Sequence, residues 1–340
     1  MPQQPTRRAA LAAGLGALGS ALLAGCDGGA AKAPMHGTSA TDGSSATGSS
    51  APSSPTPTPS ATVTAATGPV AVVRGPTRVV ALDTAELDSA MTLGITPVGA
   101  AKAPADGGLP GYWPASRLAG ITVVGDIAAT PDTVRIAALA PQLILSNQTR
   151  DGAHPDALRP LAPTVLTRTT GYPWKDGFRL HAAALDRQEQ ADAVVAAYER
   201  HADQATRAIA AAGSGGRRIS IVRFVEGSPT VRLYARQNFV GTVLADLGLP
   251  RPDPQNVDQF TVEVPADQLA RADGDYLFYA TYGDPDRAGT TAALAGPVWQ
   301  SLAAVRAHRA FPVDDQLWFQ GIGYTGANFL IAELQRALGA

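Results

Sequence analysis

From residue 69 onward, short apolar runs alternate with stretches whose apolar positions recur at helical spacing. Arg78-Val79-Val80-Ala81-Leu82 predicts a strand, and 83–93 a helix that stops at Gly94. Further strands are predicted at 97–100, 122–124, 143–145 and 164–166, with helices over 132–140 and 155–161. Strands this short and apolar, separated by helices, predict an α/β fold with a mostly parallel sheet. The period then changes. Ala191, Val194, Val195, Tyr198, Ala202, Ala205 and Ile209 fall on one helical face, behind a capping box of Asp186 and Glu189. The pattern ends at Ala211-Ala212-Gly213, which predicts a helix of about 26 residues, near 39 Å long. That exceeds a simple crossover and marks a rigid strut between two lobes.

Beyond the strut the alternation resumes. Residues 219–224 and 230–234 predict a hairpin-like pair of strands, and Asn238 caps a helix that ends near Gly248. Asp267 opens another helix, 276–279 is a buried strand, and 326–338 the closing helix. The folded part is longer than one hydrophobic core usually serves, so two lobes are expected, 69–175 and 214–340, with a linking region at 176–213.

The first 68 residues differ in kind. Arg7 and Arg8 precede an uncharged Ala/Leu-rich stretch at 9–23, too short to span a bilayer stably, and the run Leu23-Ala24-Gly25-Cys26 holds the chain's only cysteine. Residues 1–25 therefore predict a signal peptide, and Cys26, with no second cysteine, forms no disulfide within the chain. Residues 26–68 predict a spacer: from 37 on they are almost entirely Ser, Thr, Ala, Pro and Gly, with Asp42 the one charge. Such a segment lacks the apolar bulk to order itself, and its ends would sit on the order of 30 Å apart. The formal net charge is −2 and the arginines are scattered, which argues against a nucleic-acid partner.

Enzyme readings fail one by one. Gly321-Ile322-Gly323-Tyr324-Thr325-Gly326 matches G-x-G-x-x-G but has no βαβ unit after it and no acidic residue about 20 positions on, so these are chance or packing glycines. There is no G-x-S-x-G elbow and no Walker loop. The five histidines form no H-x-x-x-H pair and have no thiolates beside them, so no metal site is expected. The aromatics carry more. Tyr172 and Trp174 sit where the first lobe leaves for the strut. Tyr234, Tyr279 and Tyr282 stand at strand ends, Trp318, Phe319 and Tyr324 near the last helix, and Arg223 towards the end of a central strand. Singly, each aromatic is more often core. Together they converge on one cleft if the strands end between two lobes.

Several blocks carry a resemblance. Cys26 after Ala24-Gly25 resembles a bacterial lipobox, in which the thiol is acylated; Thr6-Arg7-Arg8-Ala9-Ala10-Leu11 is similar to a twin-arginine signal, with Ala10 at the usual bulky position, so Tat and Sec export both stay open. Arg78-Val79-Val80-Ala81-Leu82-Asp83 followed by Leu93-Gly94-Ile95-Thr96-Pro97-Val98-Gly99 resembles the opening of the periplasmic-binding proteins for iron-siderophores. Ile136-Ala137-Ala138-Leu139-Ala140-Pro141-Gln142-Leu143-Ile144 is similar to their ALxPDLI segment, with Gln142 in place of Asp. Two further blocks match in order: 240–250, and 297–299 through 313–315.

The resemblance implies two Rossmann-like lobes joined by one long α-helix. It implies a monomeric lipoprotein on the extracytoplasmic face of the cell membrane, acylated at Cys26, that hands a ferric siderophore to an ABC importer permease. Asp156 and Asp267 match carboxylates that dock on the permease, one per lobe. Trp318-Phe319-Gln320-Gly321 resembles the pocket segment of hydroxamate-binding members, and Arg223 a pocket arginine. Ala128 and Arg150 depart from the arginine and tyrosine of an enteric ferrichrome-binding relative. The candidate ligand contacts are Arg223, Trp318, Tyr172, Trp174, Tyr234, Tyr282, Tyr324 and Arg150. With one well-placed cation, a ferric hydroxamate is expected over a triply anionic catecholate. Haem or a cobalamin on the same fold stays open.

Overall fold

The computed structural model describes residues 60–340; the predicted signal peptide, Cys26 and most of the predicted spacer lie outside the described residues. The chain opens with an antiparallel hairpin, β1 (Ser60–Ala65) and β2 (Gly68–Val73). Five parallel strands follow, β3 (Val79–Ala81), β4 (Gly99–Lys102), β5 (Thr122–Asp126), β6 (Leu143–Asn147) and β7 (Thr164–Thr167), in the order β5-β4-β3-β6-β7. All residues of β3, β6 and β7 are buried. Helices cover both faces of such a sheet, so its strands read as continuous apolar runs rather than alternating ones.

The second lobe holds β8 (Ile219–Val225), β9 (Val231–Tyr234), β10 (Thr261–Val264), β11 (Tyr276–Tyr282) and β12 (Ala310–Pro312), ordered β10-β9-β8-β11-β12. Here β8, β11 and β12 run parallel, while β9 and β10 are antiparallel. The two-lobed α/β architecture agrees with the expectation.

Two boundaries differ from it. Residues 60–68, assigned by composition to the spacer, are ordered: Val63, Ala65 and Val72 are buried, and the Ala66 amide donates to the Leu166 carbonyl at 2.8 Å. The alternation of small polar residues with Val and Ala is enough for a strand once an existing sheet supplies the other half of the core. The capping box at Asp186 does not form either. Asp186 has φ 56°, its amide donates to Ala183 O and that of Arg187 to Ala182 O. That is the double bond of a Schellman turn closing the preceding helix, Trp174–Ala184, and it takes Asp186 out of the extended geometry an N-cap needs. The long helix then spans Gln188–Ala211, 24 residues, with Ala191, Val195, Tyr198, Ala202, Ala205 and Ile209 buried along one stripe.

The last helix, Tyr324–Leu338, contacts both the long helix and the first helix of the N-terminal lobe, Thr84–Thr92. Its N-terminus lacks a cap of its own. Asp88 from the other lobe supplies one: its carboxylate accepts from the amides of Thr325 (3.3 Å) and Gly326 (3.2 Å), and from the hydroxyls of Thr92 and Tyr112 at 3.1 Å each. This accounts for the G-x-G-x-x-G run. A Cβ on Gly323 would stand 2.0 Å from Asp88 Oδ1, and one on Gly326 would strike the Gly321 carbonyl. The glycines admit an internal carboxylate where a dinucleotide fold would admit phosphate.

Burial pushes the Asp88 carboxyl up to about 6 despite its four donors. A raised carboxyl pKa makes the ionised form a cost above pH 6, relieved as the folded state takes up a proton that the unfolded chain does not bind. Stability of the wild type relative to Asp88→Asn should therefore rise from pH 7 to pH 5 by about 1.3 kcal/mol, close to one unit of titration at 1.36 kcal/mol per unit. Parallel denaturation profiles for the two proteins would contradict this.

Candidate functional site

The carboxyl ends of β3, β4, β8 and β11 face one another across a cleft of about 1490 Å³. The N-terminal lobe contributes Asp83, Thr84 and the segment 103–106; the C-terminal lobe contributes Arg223, Tyr234, Phe260, residues 279–285, 312–316, Phe319 and Gln320. Ligands of open α/β sheets bind beyond the carboxyl ends of strands, where connections diverge. Two hydrogen bonds cross the cleft: Ala105 N donates to Tyr282 OH at 3.0 Å, and Gly111 N to Gln316 Oε1 at 2.8 Å.

Arg223 is the centre of the C-terminal wall. Its Nε and Nη2 donate to the two Asp315 oxygens, each at 2.6 Å, and Nη1 donates to Tyr234 OH at 3.2 Å. The guanidinium carbon lies 4.9 Å from the ring centroids of both Tyr282 and Phe319. Burial opposes the charge, but Tyr234 and the Asp315 carboxylate more than offset it and hold Arg223 above the ordinary guanidinium range. Arg223 is thus a permanent cation whose charge is matched bidentately by its own neighbour. Phe319 packs edge-on against Tyr234 (4.5 Å), which also meets the half-exposed Phe260 (5.4 Å). The result is an aromatic wall around one neutralised guanidinium.

Behind Asp83 lies a buried polar cluster. Asn147 Nδ2 donates to Asp83 Oδ2 at 2.9 Å, and His181 Nδ1 meets Ser89 Oγ at 2.9 Å. Burial raises Glu86 to about 8, with Asp83 adding to it, and lowers His181 to about 3. Glu86 is therefore protonated and His181 neutral at pH 7, which lets both sit in the core without net charge.

The structure separates the sequence-predicted residues. Arg223, Tyr234 and Tyr282 line the cleft. Trp318 does not. It is 0 % exposed, stacks on Phe278 at 4.8 Å and donates its indole N–H to Glu333, so on the Gln316–Gln320 turn Phe319 takes the cleft side and Trp318 the core. Trp174 and Tyr324 are also core, 4.8 Å apart and edge-on. Tyr172 is exposed and absent from the lining, although its neighbour Gly171 is in it. Arg150 points inward, pairing with Asp151 at 3.1 Å and donating to the Asp126 carbonyl at 2.9 Å. Large aromatics at a lobe junction are as valuable for packing as for ligand contact, and burial decided for packing.

Asp156 is exposed on the short helix Pro155–Leu158, 3.2 Å from Arg159. Asp267 is exposed on a 3-10 turn, Ala266–Ala272, rather than the predicted α-helix. Phe260, Asp106 and Asp315 were not foreseen, since each lies in a connection without periodicity. No group of three or more His, Cys, Asp or Glu suited to a metal ion occurs among the described residues.

A family model described as periplasmic binding protein matches residues 79–317. The chain belongs to the periplasmic binding protein family. Its members are substrate-binding transport proteins, not enzymes. The chain is 30% identical over 273 residues to the "Probable siderophore-binding lipoprotein YfiY" of Bacillus subtilis, covering 76% of this chain and 82% of that one. It is 25% identical over 272 residues to the achromobactin-binding periplasmic protein of Dickeya dadantii, covering 78% and 87%. The crystal structure of Staphylococcus aureus SirA complexed with staphyloferrin B superposes with a TM-score of 0.73 at 25% identity, over 82% of this chain and 98% of that one. The resemblance to iron-siderophore binders drawn from the sequence is borne out at this level, and so is the fold.

Because Trp318 is sealed from the cleft, Trp318→Ala should lower stability by about 3–5 kcal/mol in denaturant unfolding, the range for deleting a buried aromatic. Wild-type stability in that variant would place the ring outside the core.

Proposed function

We propose that this protein captures a ferric hydroxamate siderophore in the inter-lobe cleft and delivers it to an ABC importer. The observation that carries the ligand class is the Arg223–Asp315 pair. The central cation of the site is already neutralised in two hydrogen bonds of 2.6 Å, so a multiply anionic catecholate or ferric citrate finds no surplus positive charge there. A neutral chelate instead meets ring faces at Tyr282, Phe319 and Phe260, while the cleft volume exceeds that of an ordinary small-molecule pocket and suits a bulky metal chelate. The iron arrives wrapped in its chelator, and the protein supplies no ligand to it. Relatives named for ferric citrate and achromobactin make the anionic alternative a real competitor.

Exposed Asp156 and Asp267, one on each lobe, serve as the permease-docking carboxylates in this reading. Acylation of Cys26 holds the protein, as a monomer, at the extracytoplasmic face of the membrane; the relatives named as lipoproteins support this. No helix among the described residues is long and apolar enough to cross a membrane. Cys26→Ser should accordingly move the protein from the membrane to the soluble fraction on cell fractionation, and unchanged membrane retention would refute the anchor.

The binding test is a fluorescence titration of the full chain. An iron-loaded hydroxamate should quench at sub-micromolar concentration, roughly 8 kcal/mol or more of binding free energy, and the iron-free chelator should not. Phe319→Ala should weaken binding about tenfold or more. Preference for ferric citrate or a ferric catecholate would overturn the hydroxamate assignment. A Soret shift on mixing with haem would redirect the ligand altogether.

A further inference from the structure

The arginines that line the cleft are not equivalent. Arg223, Arg232 and Arg287 each face a carboxylate: Asp315 at 2.6 Å, Glu263 at 3.1 Å and Glu226 at 3.0 Å. The Arg223 pair is bidentate and shielded, its side chains 12 % and 11 % exposed. Breaking it would strand a buried charge, so Arg223 stays clamped. Arg232 sits within β9, directly opposite Glu263 of β10, and the Thr230 hydroxyl donates to the other oxygen of that carboxylate. Its backbone is fixed in a ladder. Arg287 differs on both counts, because its side chain is 70 % exposed and it stands on a connection rather than in a strand.

The backbone beneath Arg287 is a self-contained turn. Asp284 Oδ1 accepts from the amides of Asp286 and Arg287 at 3.0 and 2.9 Å. The carbonyls of Asp284 and Pro285 accept from the amides of Ala288 and Thr290 at 2.8 and 2.9 Å. Glycines in the left-handed region flank it, Gly283 with φ 87° and Gly289 with φ 73°, and such positions absorb a change of backbone direction at little steric cost. Among the described residues, Glu226 is the one side chain outside the turn that bonds it. Its Oε2 accepts from the Asp284 amide at 2.8 Å, and its Oε1 faces Arg287 Nε. A Cβ on Gly283 would strike Glu226 Oε2, so the missing side chain is what admits the carboxylate.

We infer that Arg287 is the specificity-determining cation of the cleft: it leaves Glu226 to donate to the chelating oxygens of the bound complex, while Arg223 stays with Asp315. An exposed ion pair contributes little, so exchanging Glu226 for ligand oxygens costs little. The metal holds the two oxygens of each hydroxamate side by side, and a guanidinium fork reads such a pair. In the iron-free chelator nothing holds them so, and the fork therefore favours the loaded form. Glu226 keeps the Asp284 amide after the exchange, so the turn retains its tether. The exchange adds no net charge to the lining, which still suits a neutral chelate. This rests on the hydroxamate reading above and narrows it to a named donor.

The test titrates the full chain with a ferric trihydroxamate and with ferric citrate, each followed by fluorescence, alongside thermal melting. Arg287→Ala should weaken trihydroxamate binding about tenfold with an unchanged melting temperature, since the pair it breaks is exposed. Glu226→Gln removes the competing charge yet keeps an acceptor for the Asp284 amide, and should tighten binding by about threefold, the scale of an exposed ion pair. Wild-type affinity in Arg287→Ala would overturn the assignment and leave the hydroxamate reading standing. Equal losses in the two variants would also overturn it, because the pair would then act only by bracing the turn. If the wild type takes ferric citrate and refuses the trihydroxamate, the ligand reading falls alone; Arg287 then stands if Arg287→Ala weakens citrate binding, and falls if it does not. Binding of neither chelate would overturn both.

Discussion

The two lobes are held together by an aromatic junction, and the cleft exists because that junction does not yield. Trp174 from the end of the first lobe, Tyr198 from the long helix and Tyr324 from the last helix meet edge-on, with ring centroids 4.8 to 6.3 Å apart. Phe178 and Phe239 extend the contact into both lobes, at 4.6 Å from Tyr324 and 5.6 Å from Trp174. Edge-to-face pairs of this kind add about 0.5–1.5 kcal/mol each beyond the area they bury. The Tyr198 hydroxyl is served at the rim, donating to Asp246 at 2.6 Å where Lys175 reaches the same carboxylate at 2.7 Å, whereas the buried Trp174 indole N–H has no partner.

Asp88 reinforces the junction from the polar side. One carboxylate closes the N-terminus of a helix that belongs to the other lobe, so separating the lobes would leave the Thr325 and Gly326 amides without their acceptor. A single long helix as the connection predicts small bending of the lobes rather than wide closure. The walls of the cleft therefore meet a ligand largely preformed, which limits the ordering entropy that binding must offset.

Preformed walls place the burden of recognition on charge and ring faces. Arg223 is clamped by Asp315 and flanked by Tyr282 and Phe319, so it presents a rigid, neutralised surface rather than a free cation. The remaining carboxylates of the lining then set the sign of the field a ligand meets. A chain whose overall charge is only −2 achieves this locally, by pairing its arginines and leaving certain aspartates unmatched.

The lobes, the long helix and the parallel strands were legible in the sequence, because apolar runs such as Leu143-Ile144-Leu145 and the stripe through Tyr198 report local periodicity. The family blocks carried Arg223 in the same way. What the sequence could not separate was which aromatic faces the cleft. Trp318 and Phe319 are neighbouring large aromatics, yet one stacks on Phe278 in the core and the other packs on Tyr234 in the wall. Nor did composition reveal that residues 60–68 pair into a hairpin, or that Gly323 makes room for Asp88. Periodicity is a property of neighbours along the chain, so the sequence by itself determined the elements and their order. The side of a turn a ring takes, the lobe a carboxylate caps and the pairing of each charge depend on partners about 30 to 240 residues away, and only the tertiary structure decided them.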